Sequence, residues 1–173
     1  MSELAGVQRE AERAALEALS PRRRFENLLD RHEARLRRVA FGMLGDPHRV
    51  DDVLQEAFIK AYCKLPPRFE NELAESAWLC RIVHRCCLDE LRSRRRRPEA
   101  AGLPDVAAPE VPESALAIAA ALSRLGPELR AVVLLVDVVG LDYETAGVAL
   151  QIPRGTVASR LSAARSRLQE LLA

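Results

Sequence analysis

The stretch Leu141–Leu172 reads LDYETAGVALQIPRGTVASRLSAARSRLQELL. It predicts a short helix ending near Leu150, a turn at Gln151-Ile152-Pro153, and a longer helix starting around Arg154. That is a helix-turn-helix arrangement. At ~100° per residue, Val157, Leu161, Ala164, Leu168 and Leu171 share one stripe of the second helix, and this stripe must be buried against the preceding helices. Gly155, Ser159, Ser162 and Ser166 fall opposite it and are small, so the backbone there can approach a DNA groove. Arg160, Arg165 and Arg167 flank the stripe and can reach phosphates on either side. Arg154 and Thr156 stand at the helix N-terminus, where backbone N–H groups favour phosphate. A helical hairpin with a solvated polar face has the same spacing, so the pattern alone leaves both readings open.

The rest of the chain reads as helix too. Among its 173 residues, apolar side chains recur at three- and four-residue spacing, with no clean alternation for strands. Helices are expected near 4–18, 24–44, 48–65, 76–95, 114–125, 127–139, 143–150 and 154–172. Gly45-Asp46-Pro47 and Pro66-Pro67 act as stops. Between the expected 76–95 and 114–125 helices, residues 98–113 hold Pro98, Pro104, Pro109 and Pro112 with Glu99, Asp105, Glu110 and Glu113 and no basic residue. This is a Pro-rich acidic linker without a packing period. The fold class is therefore all-α: two small helical domains joined by that linker, the second containing the helix-turn-helix. The divisions are an N-terminal extension 1–23, a first domain 24–97, the linker 98–113 and a second domain 114–173. The linker predicts domains that are flexibly tethered.

Composition excludes other classes. Charged residues make up 29% of the chain and no apolar run is long enough to span a membrane. Glu3, Glu10, Glu12 and Glu17 break up the N-terminal apolar residues, unlike a secretory signal. A cytoplasmic protein is expected. The formal net charge is +1, but 16 of the 26 basic residues lie in 24–97. No constellation of nucleophile, base and orienting group suggests an enzyme, a small-molecule substrate or a cofactor. Cys80, His84 and Cys87 share one helix side but lack a fourth ligand, and ~10 Å of axial rise between the two cysteines precludes a disulfide. Small apolar thiols packed in a core are expected, and no metal.

In the first domain, Leu79, Ile82, Val83 and Cys86 form a buried stripe. Arg81, Arg85 and Arg92 line another face, ahead of the run Arg94-Arg95-Arg96-Arg97. Trp78 starts that helix and Phe69 precedes it in the loop Arg68–Glu75. Arginines beside an aromatic suit a nucleic-acid strand, whose phosphates and bases they can track and stack on. Core packing of Trp78 and Phe69 with a solvated helix end is the other reading. The preceding helix groups Asp52, Gln55, Glu56 and Ile59 on one face, either a docking surface for a partner helix or acidic matching of the helix dipole.

Taken together, the motifs resemble those of the extracytoplasmic-function (ECF) sigma factors, the small two-domain members of the main bacterial sigma family. They are Leu44-Gly45-Asp46, Asp52–Phe58, Trp78–Ile82, Asp89–Arg92, Leu125-Gly126-Pro127, Tyr143–Ala146 and Pro153–Leu161, and the match covers residues 24–172. The resemblance implies an alternative sigma factor that binds core RNA polymerase and directs promoter-specific initiation in a stress or signal response. Asp52, Gln55, Glu56, Phe58 and Ile59 would dock on core polymerase. Phe69, Asn71, Trp78, Arg81, Arg85, Asp89 and Arg92 would read the −10 element as flipped single-stranded bases. Arg154, Thr156, Ser159, Arg160, Ser162, Ala163 and Arg165 would read the −35 element. The acidic linker would thread toward the polymerase active centre. An anti-sigma factor, often membrane-bound, would be a further partner and could hold the chain at the membrane. The chain departs from the family pattern at Ala158 and Ala163, where a basic residue is common, at Arg85, where Asn is common, and at Gly126. A DNA-binding regulator acting without polymerase is the alternative. It would need no Asp52–Phe58 surface.

Overall fold

The computed structural model describes residues 20–96 and 112–172, without the side chain of Leu172. The expected 4–18 helix, Arg97 and most of the linker lie outside the described residues. Among the described residues seven α-helices follow in order: α1 (Pro21–Leu44), α2 (Pro47–Cys63), α3 (Glu72–Arg96), α4 (Glu113–Ser123), α5 (Pro127–Val133), α6 (Tyr143–Leu150) and α7 (Arg154–Leu172). Among the described residues there is no strand.

Local signals set most of the boundaries. Ser20 caps α1, its side chain accepting from the Arg23 N–H, and Pro21 takes the first helical position, where a missing N–H costs nothing. Ser20-Pro21 therefore opens α1, and α1 begins before residue 24. Gly45 closes α1 in the left-handed conformation at φ 69°. Asp46 then caps α2, accepting from the His48 and Arg49 N–H groups. α3 starts four residues earlier than the expected 76. Asn71 Oδ1 accepts from the Ala74 N–H at 2.8 Å, so Glu72 and Glu75 fall in the first helical turn, not in a loop. The expected 127–139 helix widens into a π-helical stretch, Leu134–Val138, where the Val139 N–H reaches the Leu134 carbonyl.

α1, α2 and α3 form the first module. Leu28, Leu36, Val39, Met43, Val50, Leu54, Leu79 and Val83 make its core. His32 is buried within it, and its Nε2 lies 3.2 Å from Glu75 Oε2, tying α1 to α3. The second module buries Leu122, Leu125, Val132, Leu134, Leu135, Ala146, Val157, Leu161 and Ala164. The two modules are not merely tethered, as the linker composition suggested. α4, α5 and the π stretch pack on α1, and α6 packs on α3, so one apolar cluster runs through both. Gly42 makes this approach possible, since a Cβ there would lie 2.4 Å from Leu134 Cδ2.

Candidate nucleic-acid and protein interfaces

The first surface lies on α2. Val53, Leu54, Ala57 and Ala61 turn inward, which forces Asp52, Gln55, Glu56 and Ile59 outward. All four are exposed, Ile59 at 60%, while Phe58 is partly buried against the core. Lys60 Nζ pairs with Glu56 Oε1 at 2.5 Å, and that hydrogen bond raises the Lys60 pKa. Beside this face lies an open cleft of about 310 Å³ lined by Asp46, His48, Arg49, Asp52, Val53, Glu56 and Glu90. Arg49 bridges Asp46 and Glu90 at its floor and so ties the α2 start to α3. Sequence spacing did not find this cleft. Glu90 is 41 residues from Arg49, and only the helix packing brings them together. Tyr62 also extends the apolar part of the face, 47% exposed and one turn beyond Ile59.

The second surface lies on α3. Phe69 and Trp78 stack at a centroid distance of 5.3 Å with a tilt of 58°, both partly buried. Their rings thus do packing work while staying partly exposed. Asn71 uses its side-chain oxygen as the α3 cap. Asp89 and Arg92 form an exposed pair at 3.4 Å. Arg81 Nη2 donates to the Val148 carbonyl at 2.6 Å, and Arg85 Nη2 donates to Gln151 Oε1 at 2.5 Å. Both acceptors belong to the second module. Between these arginines sits His84, whose pKa burial and the neighbouring Arg85 and Arg92 charges push down to about 4, so it is neutral at pH 7.

The third surface is the outer face of α7. Val157, Leu161 and Ala164 are fully buried and Leu168 and Leu171 partly so, as the apolar stripe requires. Arg154, Ser159, Ser162, Ala163 and Arg165 are exposed, and Thr156 and Arg160 partly so. Two of these arginines are already paired across to α5 and the π-helical stretch. Arg160 meets Glu128 of α5 at 2.5 Å, and Arg165 holds both oxygens of Asp137 at 2.6 and 3.2 Å, which raises its pKa. Exposed pairs of this kind are worth about 0–1 kcal/mol, so phosphate can displace the carboxylates. The turn before α7 is tight. Gln151 adopts φ 59°, and a Cβ on Gly147 would stand 2.7 Å from the Ile152 carbonyl oxygen.

The thiols behave as core atoms. Burial pushes Cys80 and Cys87 up to about 12 and Cys86 upward as well, so all three stay protonated at neutral pH. Cys63 alone of the four cysteines is exposed. Among the described residues no helix is long and apolar enough to cross a membrane.

Comparison with known proteins matches this arrangement domain by domain. Residues 28–97 match the model for sigma-70 region 2, and residues 115–168 match that for sigma-70 region 4. The chain is 37% identical over 168 residues to the ECF RNA polymerase sigma factor SigM of Mycobacterium tuberculosis, covering 94% of this chain and 84% of that protein. Among solved structures it is similar to the sigma factor RpoE of Bartonella quintana in complex with the anti-sigma factor NepR. The TM-score is 0.72 at 26% identity, over 86% of this chain and 96% of that one. It is also similar to CnrH in complex with the cytosolic domain of CnrY, with TM-score 0.69 at 27% identity over 92% and 93% of the two chains. With two helical modules in this order, each matching its own region of the family, the chain belongs to the ECF sigma factors of the sigma-70 family.

Proposed function

We propose that this chain is an alternative sigma factor whose three outward faces divide the work of initiation. It is a non-enzymatic subunit acting in the cytoplasm in a stress or signal response. The α2 face of Asp52, Gln55, Glu56, Phe58 and Ile59, with the acidic cleft beside it, docks on core RNA polymerase. Phe69, Asn71, Trp78, Arg81, Arg85, Asp89 and Arg92 on and before α3 read the −10 element. There, aromatic rings and guanidinium planes stack on extruded bases. Arg154, Thr156, Ser159, Arg160, Ser162, Ala163 and Arg165 read the −35 element from the major groove. Residues 24–97 and 114–173 serve as the two functional domains, with 98–113 as the linker that enters polymerase. The observation that carries this reading is the match to an ECF sigma factor over 94% of the chain together with an exposed α2 face that a DNA-binding regulator acting alone would not need.

Both solved relatives named above are complexes, RpoE with the anti-sigma factor NepR and CnrH with the cytosolic domain of CnrY. This supports an anti-sigma partner, and on our reading that partner covers the exposed Asp52–Phe58 face and competes with polymerase. Run-off transcription on genomic fragments with purified core polymerase tests the function: added chain should create new start sites sharing −35 and −10 elements. Absence of such transcripts, with tight sequence-specific duplex binding by the chain alone, would favour the stand-alone regulator.

A further inference from the structure

The helix α3 changes character along its length. Up to Cys87 it is held by buried side chains, Leu79, Cys80, Val83, Cys86 and Cys87 among them. From residue 88 to Arg96 none is buried. Leu88 and Leu91 rest partly covered on the core, and Asp89, Arg92, Ser93, Arg94, Arg95 and Arg96 are exposed. Among the described residues, one side chain of this distal half hydrogen-bonds to another helix: Glu90 accepts from Arg49 Nη1, in the first turn of α2. Arg49 is itself fixed. Its Nε donates to Asp46 Oδ2 at 3.0 Å, while Asp46 Oδ1 takes the His48 and Arg49 N–H groups as the α2 cap. The side chains of Arg49, Glu90 and Asp46 are only 23%, 26% and 28% exposed, so this chain of contacts is better shielded than an open surface pair.

We propose that Arg49 is a positioning residue for reading of the −10 strand, acting on α3 through Glu90. Two effects follow from the one contact. Arg49 fixes the distal half of α3, where sparse burial would otherwise let the helix fray, and so keeps Asp89 and Arg92 in a set place. It also cancels the Glu90 carboxylate, a negative charge one residue from Asp89 and two from Arg92. Without Arg49 that carboxylate would stand bare beside a phosphate strand. It would also be free to pair with Arg94, one turn on, and so take a strand-reaching cation out of use. The proposal rests on the sigma-factor reading for the identity of the strand, whereas the Arg49–Glu90 tie can be measured in the chain alone.

Hydrogen exchange on the full chain tests the tie. Arg49→Ala should speed exchange of the backbone amides of residues 88–92, on the order of fivefold or more, and leave those of 79–87 unchanged. Equal exchange in Arg49→Ala and the wild type overturns the tie. The strand test uses a labelled single-stranded −10 oligonucleotide, its sequence taken from the run-off start sites. It is bound to chain–polymerase complexes assembled with core in saturating excess, so that a change in docking affinity does not enter. Arg49→Ala should weaken strand binding about fivefold relative to the wild type, by a ratio that shrinks as salt is raised. Arg49→Lys keeps the charge without the fork and should fall between the two. Glu90→Gln leaves an amide oxygen to accept from Arg49 and no charge to cancel, so it should bind the strand at least as well as the wild type. Equal strand affinity of Arg49→Ala and the wild type overturns the positioning role. A loss in Glu90→Gln as large as that in Arg49→Ala overturns the charge cancellation. If the wild-type complex binds the −10 oligonucleotide no better than a scrambled one, the −10 reading fails and takes the positioning role with it, while the exchange result still decides the tie.

Discussion

The guanidinium of Arg130 donates across the module boundary to the main-chain carbonyl of Met43, one residue before the end of α1. The residue four beyond Met43 is Pro47, which has no N–H, so no helical donor could serve that carbonyl. The charge also sits at the negative end of the helix dipole, where α1 has no basic residue of its own. Arg130 further donates to the carbonyls of Ser123 at 2.8 Å and Leu125 at 3.0 Å, organising the α4–α5 turn. Burial and the charge of Arg95 lower its pKa, the electrostatic mark of a cation held among carbonyls instead of beside a carboxylate.

Arg130→Met should therefore strip three carbonyls of their donor in one change. A loss of about 2–4 kcal/mol is expected, read as a lower urea midpoint with near-normal helical circular dichroism. Arg130→Lys should recover only part of it, because one ammonium cannot reproduce the planar fork. Equal stability of wild type and Arg130→Met would show that the buried hydrogen bonds are not formed.

Gly147→Ala should injure the second module alone. Its methyl would sit 2.7 Å from the Ile152 carbonyl oxygen, and a backbone atom cannot swing away as a side chain can. A cost of about 1–3 kcal/mol is expected, with −35-dependent transcription falling while co-purification with core polymerase persists. Unchanged thermal stability would refute the tight turn.

Reversing charge at Asp52 and Glu56, as Asp52→Arg with Glu56→Arg, should abolish co-purification with core polymerase. Both side chains are exposed, so helicity and melting temperature should change little, within about 0.5 kcal/mol. Retained co-purification would remove the α2 face from the docking surface.

On α7, Ser159 and Ser162 should govern which promoters are used, and Arg165 how tightly all are held. A bulky residue at either serine should reorder promoter usage, because both point outward from the groove-facing side. Arg165→Ala should weaken every promoter and lower the salt slope by roughly 1. Since Arg165 first has to leave Asp137, Asp137→Asn should strengthen binding slightly. An unchanged promoter ranking in the serine variants would count against this face.

The thiols should separate by reactivity. At pH 8 iodoacetamide should modify Cys63 readily, while Cys80 and Cys87, held near 12 by burial, should react only after unfolding. A chain with all four cysteines replaced by Ser or Ala should keep its response to the inducing signal. Loss of that response would point to thiol control.

What could be read from the sequence was everything that depends on local period and punctuation. The all-helical class, the stop at Gly45-Asp46-Pro47, the helix-turn-helix and the buried stripe of Val157, Leu161 and Ala164 follow from side chains within a few turns of one another. The order of motifs carried the family. The early start of α3 was legible too, in Asn71 followed by Glu72 and Glu75, but a cap eight residues ahead of the apolar stripe is easily taken for loop. Tertiary structure alone decided which partners the polar groups found. Arg81 meets Val148 across 67 residues, Arg85 meets Gln151 across 66, and Arg130 meets Met43 across 87. A helical period says which face a residue occupies and nothing about which distant face will cover it. The linker's composition marks where the chain need not pack, yet gives no information on whether the modules at its ends pack on each other. That depended on the fit of Leu134 over the missing side chain of Gly42, a match of shape between two residues whose neighbours in sequence carry no trace of it.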